Sequence, residues 1–347
     1  MFSHPDADDH ELVQFIRDPG SGLRAIIALH STALGPAFGG CRMWPYADEA
    51  AALVDALRLS RGMTYKAAIM ALPYGGGKTV VIGDPACDKS PALLRALAAA
   101  VERLQGRYII ADDVGTTIED LAVMREVTSH TAAATRAARS PLAVTAHGVF
   151  EAIQAAVRHR WSQNDLSGLE VAVQGLGNVG MPLCDHLRRA GAKLVVADPD
   201  AKRTEEAARR FDATTVAADA ILTQPVDVLA PCALGGVFDD QTIPLLQVTL
   251  VAGGANNQLQ HARHAEALAD HGILYVPDYI ANAGGVIDFD QEQRDDRPES
   301  VLAAVDRIHD VVLDILQRAE KAGSTPLAVA DGLVRERLEA ARAACGG

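Results

Sequence analysis

Two short, mostly apolar runs of β-type near the start of the chain, LVQFI at 12–16 and LRAIIAL at 23–29, predict two β-strands. The next segment, GPAFGGCRMWP at 35–45, is rich in glycine and proline and reads as a loop. From Asp48 to Leu72 the apolar positions, Leu53 and Leu57 among them, recur every three or four residues, which is the period of a helix. Strand-like KTVVIG (78–83) and RYIIA (107–111) then alternate with helical PALLRALAAAVERL and IEDLAVMREV, the order of an α/β domain.

The pattern changes around Ser140 to Thr145, where SPLAVT contains a proline, and we place a domain boundary there. A helical HGVFEAIQAAVRHRW leads into a polar SQNDLSG turn. LEVAVQ, a glycine turn, a helix to about Ala190, KLVVAD, a further helix, VDVLAP, VTLVAGG and ILYVPD follow. This regular alternation of buried strands and helices predicts a Rossmann-type, doubly wound parallel sheet. The stretch from Glu299 to Cys345 reads as two helical pieces broken at GSTP (323–326). The second piece has one apolar face to bury and is expected to pack back on the first domain. The fold class is therefore α/β, with an N-terminal α/β domain over 1–140, completed by a C-terminal helix at 326–347, and a Rossmann domain over 141–325.

Composition narrows the functions open to such a fold. A chain of 347 residues, 49% hydrophobic and 22% charged, can bury two ordinary cores. Its net charge of -13, from 45 acidic against 32 basic side chains, offers no phosphate-neutralising surface, so neither nucleic acid nor an anionic membrane is an expected partner. The N-terminal MFSHPDADDHELVQF lacks the basic start and apolar core of a secretory signal, and no uncharged apolar run is long enough to span a bilayer. Cys41, Cys87, Cys184, Cys232 and Cys345 are odd in number and lack paired spacing, which fits a reducing cytoplasm. No metal site is expected: the histidines lack ligand spacing beyond His261 and His264, read as solvated residues of a charged helix.

Three groups of residues carry candidate chemistry. Gly175, Leu176, Gly177, Asn178, Val179 and Gly180 form a GxGxxG that follows LEVAVQ and opens a helix, the context in which such glycines admit a dinucleotide pyrophosphate. Asp198, 23 residues after Gly175 at the end of the next strand, is placed to accept ribose hydroxyls and to repel a 2′-phosphate, and no arginine follows it before Arg203. NAD is thus favoured over NADP. A bare glycine turn with a solvent-facing aspartate is the alternative.

Lys66 and Lys78 are the only charged residues between Gly62 and Gly83. Apolar surroundings disfavour an ammonium, so one such lysine can serve as an anion partner and another as a general base. Two snorkelling lysines with wet tips remain the competing interpretation. Gly75 to Gly77 before Lys78 suggest close backbone approach to a ligand. Asp112 and Asp113 end the strand RYIIA, where α/β proteins place ligands, and either a proton-transferring acid or a helix cap fits that place.

Taken together, GPAFGGCRM, GMTYK, LPYGGGKTVV, ADDVGTT, GLGNVG, GGANNQL and NAGGVI resemble, in order and spacing, the glutamate/leucine/phenylalanine/valine dehydrogenase family, and its leucine-specific branch most closely. The resemblance implies a catalytic N-terminal domain, an NAD-binding Rossmann domain, an active site in the cleft between them and a homo-oligomer. By the same resemblance Lys66 binds the substrate carboxylate with the Gly40 backbone and Asn282, Lys78 activates water, and Asp113 handles the protons of the substrate amine. Thr145, Ala233 and Asn256 match residues near the nicotinamide and its ribose. The implied reaction moves hydride from the substrate α-carbon to the nicotinamide, and lysine-activated water converts the resulting iminium through a carbinolamine to a 2-oxo acid and ammonium.

Glutamate-specific members resemble GPYKGG where this chain reads GPAFGG, so Phe38 stands where a lysine would meet a side-chain carboxylate. An unpaired buried charge costs several kcal/mol. With Ala111 and Val286 to Phe289 as the other walls, an apolar and preferably branched aliphatic L-amino acid is expected. Phenylalanine or another aromatic amino acid is the first alternative, and a non-catalytic NAD-binding regulator the remote one.

Overall fold

In a computed structural model, residues 4–132, 141–233, 235–294 and 298–345 are described. The chain divides into two compact units, Met1–Arg139 with Val334–Gly347, and Ser140–Leu333. The boundary predicted at Ser140 and Pro141 begins on a residue outside the described ones, and so do the last two residues of the predicted 326–347 helix.

The first unit is built on strands β1 (Leu12–Asp18), β2 (Leu23–Ser31), β3 (Ala37–Trp44), β4 (Gly75–Ile82) and β5 (Tyr108–Asp112) in the order β1-β2-β4-β3-β5. β2 pairs antiparallel with both β1 and β4, whereas β3 runs parallel to β4 and β5. Helix α1 (Glu49–Ile69) connects β3 to β4, begins where the Asp48 carboxylate accepts the Ala51 N–H, and buries Ala52, Ala56 and Leu57 against Ile26, Ala28 and Val80. Helices α2 (Pro91–Glu102) and α3 (Ile118–Met124) complete the unit, with a capping box between Thr117 and Asp120 at the start of α3.

The segment expected to be a glycine loop is instead the strand β3. Its glycines make room for neighbouring protein atoms: a Cβ on Gly39 would fall 1.7 Å from the Gly77 carbonyl oxygen. The run Gly75 to Gly77 has the same cause, which corrects its reading as a sign of close ligand approach. Added methyls there would strike Ser31 O, the Thr64 N–H and Ser60 O of α1, and the Tyr108 ring.

The second unit opens with α4 (Pro141–Trp161), so the proline that marked a boundary begins a helix, a position where its missing N–H is harmless. Strands β6 (Glu170–Gln174), β7 (Lys193–Ala197), β8 (Thr214–Thr215), β9 (Val228–Pro231), β10 (Leu250–Val251) and β11 (Leu274–Tyr275) form an all-parallel sheet in the order β11-β10-β9-β6-β7-β8. Strand order reverses between β6 and β9, and that switch point is where open α/β sheets bind ligands. Helices α5 (Gly180–Arg189), α6 (Ala201–Phe211), α7 (His264–Asp270), α8 (Asp278–Ala281), α9 (Gly284–Gln293), α10 (Pro298–Ala322) and α11 (Pro326–Cys345) complete the order. Phe238, Leu229, Val251, Leu268 and Tyr275 are buried at the centre of one core of this unit. From Val334 onward α11 belongs to the first unit, where Arg337 donates to the Ala68 and Ile69 carbonyls at the end of α1, at 2.5 and 2.7 Å.

His264 corrects the sequence reading: it is fully buried, its Nδ1 accepts the His261 N–H, and its Nε2 lies 3.3 Å from Asp240. The spacing of polar residues could not distinguish this internal hydrogen bond from solvation.

Candidate active site

In the first unit, β3, β4 and β5 bring Gly40, Lys78, Ala111 and Asp113 together. Strand alternation puts Phe38, Gly40 and Arg42 on one face of β3, and Gly40 pairs with Ala111 of β5. A methyl on Gly40 would sit 2.7 Å from Asp113 Cβ and 3.3 Å from Lys78 Nζ, so glycine is what leaves room for those two groups. Lys78 is buried and donates a hydrogen bond to Asp113 Oδ2. Asp113 is held through its backbone as well: its N–H donates to Thr116 Oγ1, whose hydroxyl donates to the Cys41 carbonyl at 2.6 Å.

Arg42, which the sequence reading passed over, adds a second cation to this centre, its Nε lying 3.1 Å from the same Asp113 oxygen. Burial pushes the Asp113 carboxyl up, but the Lys78 ammonium and the Arg42 guanidinium overcome it and hold the group well below the usual carboxylate range. Asp113 is therefore an anion at neutral pH. The available signal was the arginine placed two residues after Gly40 on an otherwise apolar strand.

Lys66 is buried in the last turn of α1, the end of the helix where a cation is favoured. Phe38 is 4% exposed and its ring lies 6.1 Å from that of Tyr74 at an angle of 50°, so Tyr74 is a further apolar neighbour that the sequence did not single out.

In the second unit the glycine turn lies at the switch point. Gly175 has φ +90°, and a side chain there would meet Ala233 at 2.8 Å. A Cβ on Gly180 would fall 1.8 Å from the Gly175 carbonyl oxygen, which is why helix and turn can close so tightly. Gly177 differs, since nothing lies within 4 Å of its Cβ direction. Val179 precedes α5 without any side-chain cap; the Met181 N–H donates to the Gly177 carbonyl at 3.1 Å and Pro182 has none, so Gly180 carries the first N–H of the helix open to another acceptor. The buried Gln174 Oε1, at the end of β6, has no hydrogen-bond partner. The open cradle at Gly177, the Gly180 N–H at the helix start and the orphaned Gln174 acceptor fit a dinucleotide.

Asp198 is nearly buried, and its carboxylate ties the turn to β7: Oδ2 accepts the Leu176 N–H at 2.7 Å and Oδ1 the Asp200 N–H at 2.8 Å. Arg203, set aside in the sequence reading, reaches to 3.6 Å from it. Asn282 Nδ2 donates to Asn256 Oδ1 at 2.8 Å and to the Gly254 carbonyl, while its own Oδ1 is buried without a partner. Both amide hydrogens of Asn282 are thus used within this unit. Thr145 lies beside Gly284 and Gly285 at the start of α9, and Val286 and Phe289 of that helix are buried. Asp288, the one acid among those walls, is buried too. Elsewhere in the unit His147, Glu151 and Asp306 bring ligand-type atoms within 4.8 Å of one another, a grouping not visible in sequence because it joins α4 to α10.

A Rossmann sheet with an open glycine turn, together with an α/β unit in which a buried lysine pairs with a half-buried carboxylate, has the make-up of a two-domain, dinucleotide-dependent enzyme. Residues 10–130 match the family model described as Glu/Leu/Phe/Val dehydrogenase, dimerisation domain, and residues 139–202 and 197–331 match that of Glutamate/Leucine/Phenylalanine/Valine dehydrogenase. The chain is 44% identical to leucine dehydrogenase of Thermoactinomyces intermedius over 345 residues, covering 99% of this chain and 94% of that one. It is 43% identical to valine dehydrogenase of Streptomyces virginiae, covering 98% and 96%. The crystal structure of L-tryptophan dehydrogenase from Nostoc punctiforme superposes with a TM-score of 0.81 at 44% identity, covering 96% and 97%. The chain belongs to the Glu/Leu/Phe/Val dehydrogenase family. Members of this family are generally NAD(P)-dependent.

Proposed function

We propose that this protein catalyses the reversible, NAD-dependent oxidative deamination of a branched-chain aliphatic L-amino acid to its 2-oxo acid and ammonium. The observation that carries this reading is the ion pair of buried Lys78 with half-buried Asp113, beside Gly40. Deamination needs a carboxylate to hold protons at an amine and a lysine to activate water beside it. In this reading Lys66 and the Gly40 backbone bind the substrate carboxylate, Asp113 Oδ holds and moves the amine proton, and Lys78 Nζ takes a proton from the attacking water. Asn282 is assigned to the substrate's surroundings as well, acting through the Asn256 amide that it holds.

Gly175, Gly177, Asn178, Val179, Gly180 and Asp198 hold the dinucleotide, with Thr145, Ala233 and Asn256 towards its nicotinamide end. When bound, the nicotinamide supplies the hydride acceptor. NAD is favoured over NADP because Asp198 brings negative charge to the end of β7. The catalytic role falls to residues 1–140 with 326–347 and the NAD-binding role to 141–325.

The buried apolar residues assigned to the substrate side chain, Phe38 and Ala111 of the first unit and Val286 and Phe289 of the second, support an aliphatic substrate, as do the names of the leucine and valine enzymes. A second reading, an aromatic substrate, is favoured by the tryptophan-specific relative and by the Phe38–Tyr74 ring pair. Among the described residues no helix is long and apolar enough to cross a membrane, and Cys41, Cys87, Cys184 and Cys232 are free thiols. The thiols support a cytoplasmic location, and the description of the N-terminal family model as a dimerisation domain supports a homo-oligomer. Incubation with leucine and NAD is expected to release NADH, ammonium and 2-oxo acid in equal amounts. NADH without ammonium would sink the deaminase reading.

A further inference from the structure

Beyond Lys78, a chain of charged and polar groups runs outward from Asp113. Arg42 contacts Asp113 Oδ2 through Nε at 3.1 Å and Asp55 Oδ2 through Nη1 at 2.9 Å. The Tyr46 hydroxyl donates to the same Asp55 oxygen at 2.5 Å. Burial and the Asp55 carboxylate both hold that hydroxyl in its protonated, donating form. Each link comes from a different element: Arg42 from β3, Asp55 from α1, Tyr46 from the turn between them and Asp113 from the end of β5. The guanidinium is therefore clamped at both edges, and Lys78 and Arg42 converge on one oxygen of Asp113.

The two cations are not equivalent. In the proposed reaction, on which this argument rests, Lys78 gains and loses a proton in every turnover. While Lys78 is neutral, Asp113 has lost one of its two counter-charges. Arg42 cannot lose its proton at any pH the protein survives.

We infer that Arg42, clamped by Asp55 and Tyr46, is a positioning residue that supplies the permanent counter-charge of Asp113 and fixes the rotation of its carboxylate while Lys78 changes its charge. Without Arg42, Asp113 would take up a proton more readily whenever Lys78 is neutral, and the substrate amine would lose its acceptor. The clamp also explains why an arginine stands here: one planar group reaches two carboxylates in fixed directions, which an ammonium on a flexible stem does not.

The test compares the wild-type chain with Arg42→Met and Arg42→Lys, reading kcat and kcat/KM for leucine against pH, and NADH affinity by fluorescence. For Arg42→Met the acidic limb of kcat/KM is expected to move to higher pH by about one unit or more, since an opposite charge at this distance shifts a carboxyl by that much. Its kcat should fall roughly tenfold to a hundredfold, with NADH affinity unchanged. Arg42→Lys should restore the wild-type limb, because the charge is back, yet keep a reduced kcat, because the two-sided clamp is not. An unmoved acidic limb in Arg42→Met reveals a merely structural residue and overturns the inference. Should Arg42→Met fail to fold, Arg42→Lys decides alone, and a wild-type kcat there overturns it equally. A wild-type chain that forms no NADH with any amino acid overturns the functional reading instead, so the two failures are distinguishable.

Discussion

The two glycine-rich regions of this molecule look alike in sequence and do opposite things. In GPAFGG and PYGGGK the glycines let strands, α1 and the Tyr108 ring press against one another, and the space gained is filled by the protein itself. In GLGNVG two glycines do the same between strand and helix, but Gly177 faces open space and the helix behind it has no cap. The first region ends in charges packed close together, the second in open space before a helix that no side chain caps. Glycine thus marks close approach in both, and only the atoms around it tell whether protein or ligand is the neighbour.

The contrast is broken most severely through chemistry. Lys78→Ala removes the one group of the first region assigned to activate water, so kcat is expected to fall by ~10²-fold or more, the usual scale for a lost general base. NADH affinity, measured by fluorescence quenching, should stay at its wild-type value. Retention of a tenth of the wild-type kcat would remove Lys78 from that role.

Stability separates the two kinds of glycine directly. Gly39→Ala forces a methyl onto the Gly77 carbonyl and should cost about 3 kcal/mol in chemical unfolding, at the upper end for an overpacked site. Gly177→Ala meets no atom, so its unfolding free energy should stay within ~0.5 kcal/mol of wild type, while its dinucleotide affinity falls. Equal stability losses in both variants would erase the distinction. The same turn tests the cofactor: kcat/KM should strongly favour NAD over NADP. Equal use of NADP would mean that Arg203, 3.6 Å from Asp198, outweighs the carboxylate at the ribose.

A smaller effect comes from the interior of the first unit. Burial, and the nearby His10, Arg61 and Arg342, push His30 down to about 3 against the opposing pull of Asp8. Its Nδ1 shares a hydrogen bond of 2.9 Å with Thr64. Because the folded value lies below that of the unfolded chain, the unfolded state binds more protons as pH falls below about 6.5. Stability should therefore decline from pH 7 towards pH 5, and His30→Gln should flatten that slope in urea unfolding.

What was legible in the sequence follows the same division. The GxGxxG turn, Lys78 and Asp113 could be singled out because the turn and Asp113 follow apolar strands and Lys78 is the one charged residue within another. β3 was not, because the three glycines and two prolines of GPAFGGCRMWP carry the local signature of a loop, and only β4 and β5 on either side make the segment a strand. Arg42 was missed for a related reason: its meaning lies in Asp55 and Asp113, 13 and 71 residues away. His264 likewise owes its burial to folding that residue spacing does not encode.

A single experiment can decide the proposed substrate preference. The residues proposed for the substrate side chain, Phe38 and Ala111 in the first unit and Val286 and Phe289 in the second, are each buried and apolar; each methylene buried against such residues is worth ~0.8 kcal/mol, while a distal carboxylate meets no assigned cation. The measurement is kcat/KM with NAD for leucine, valine, tryptophan, phenylalanine and glutamate on one preparation. The account predicts leucine or valine first and glutamate without detectable turnover; a tenfold preference for tryptophan or phenylalanine would contradict the aliphatic assignment, and robust turnover of glutamate would contradict the apolar assignment itself.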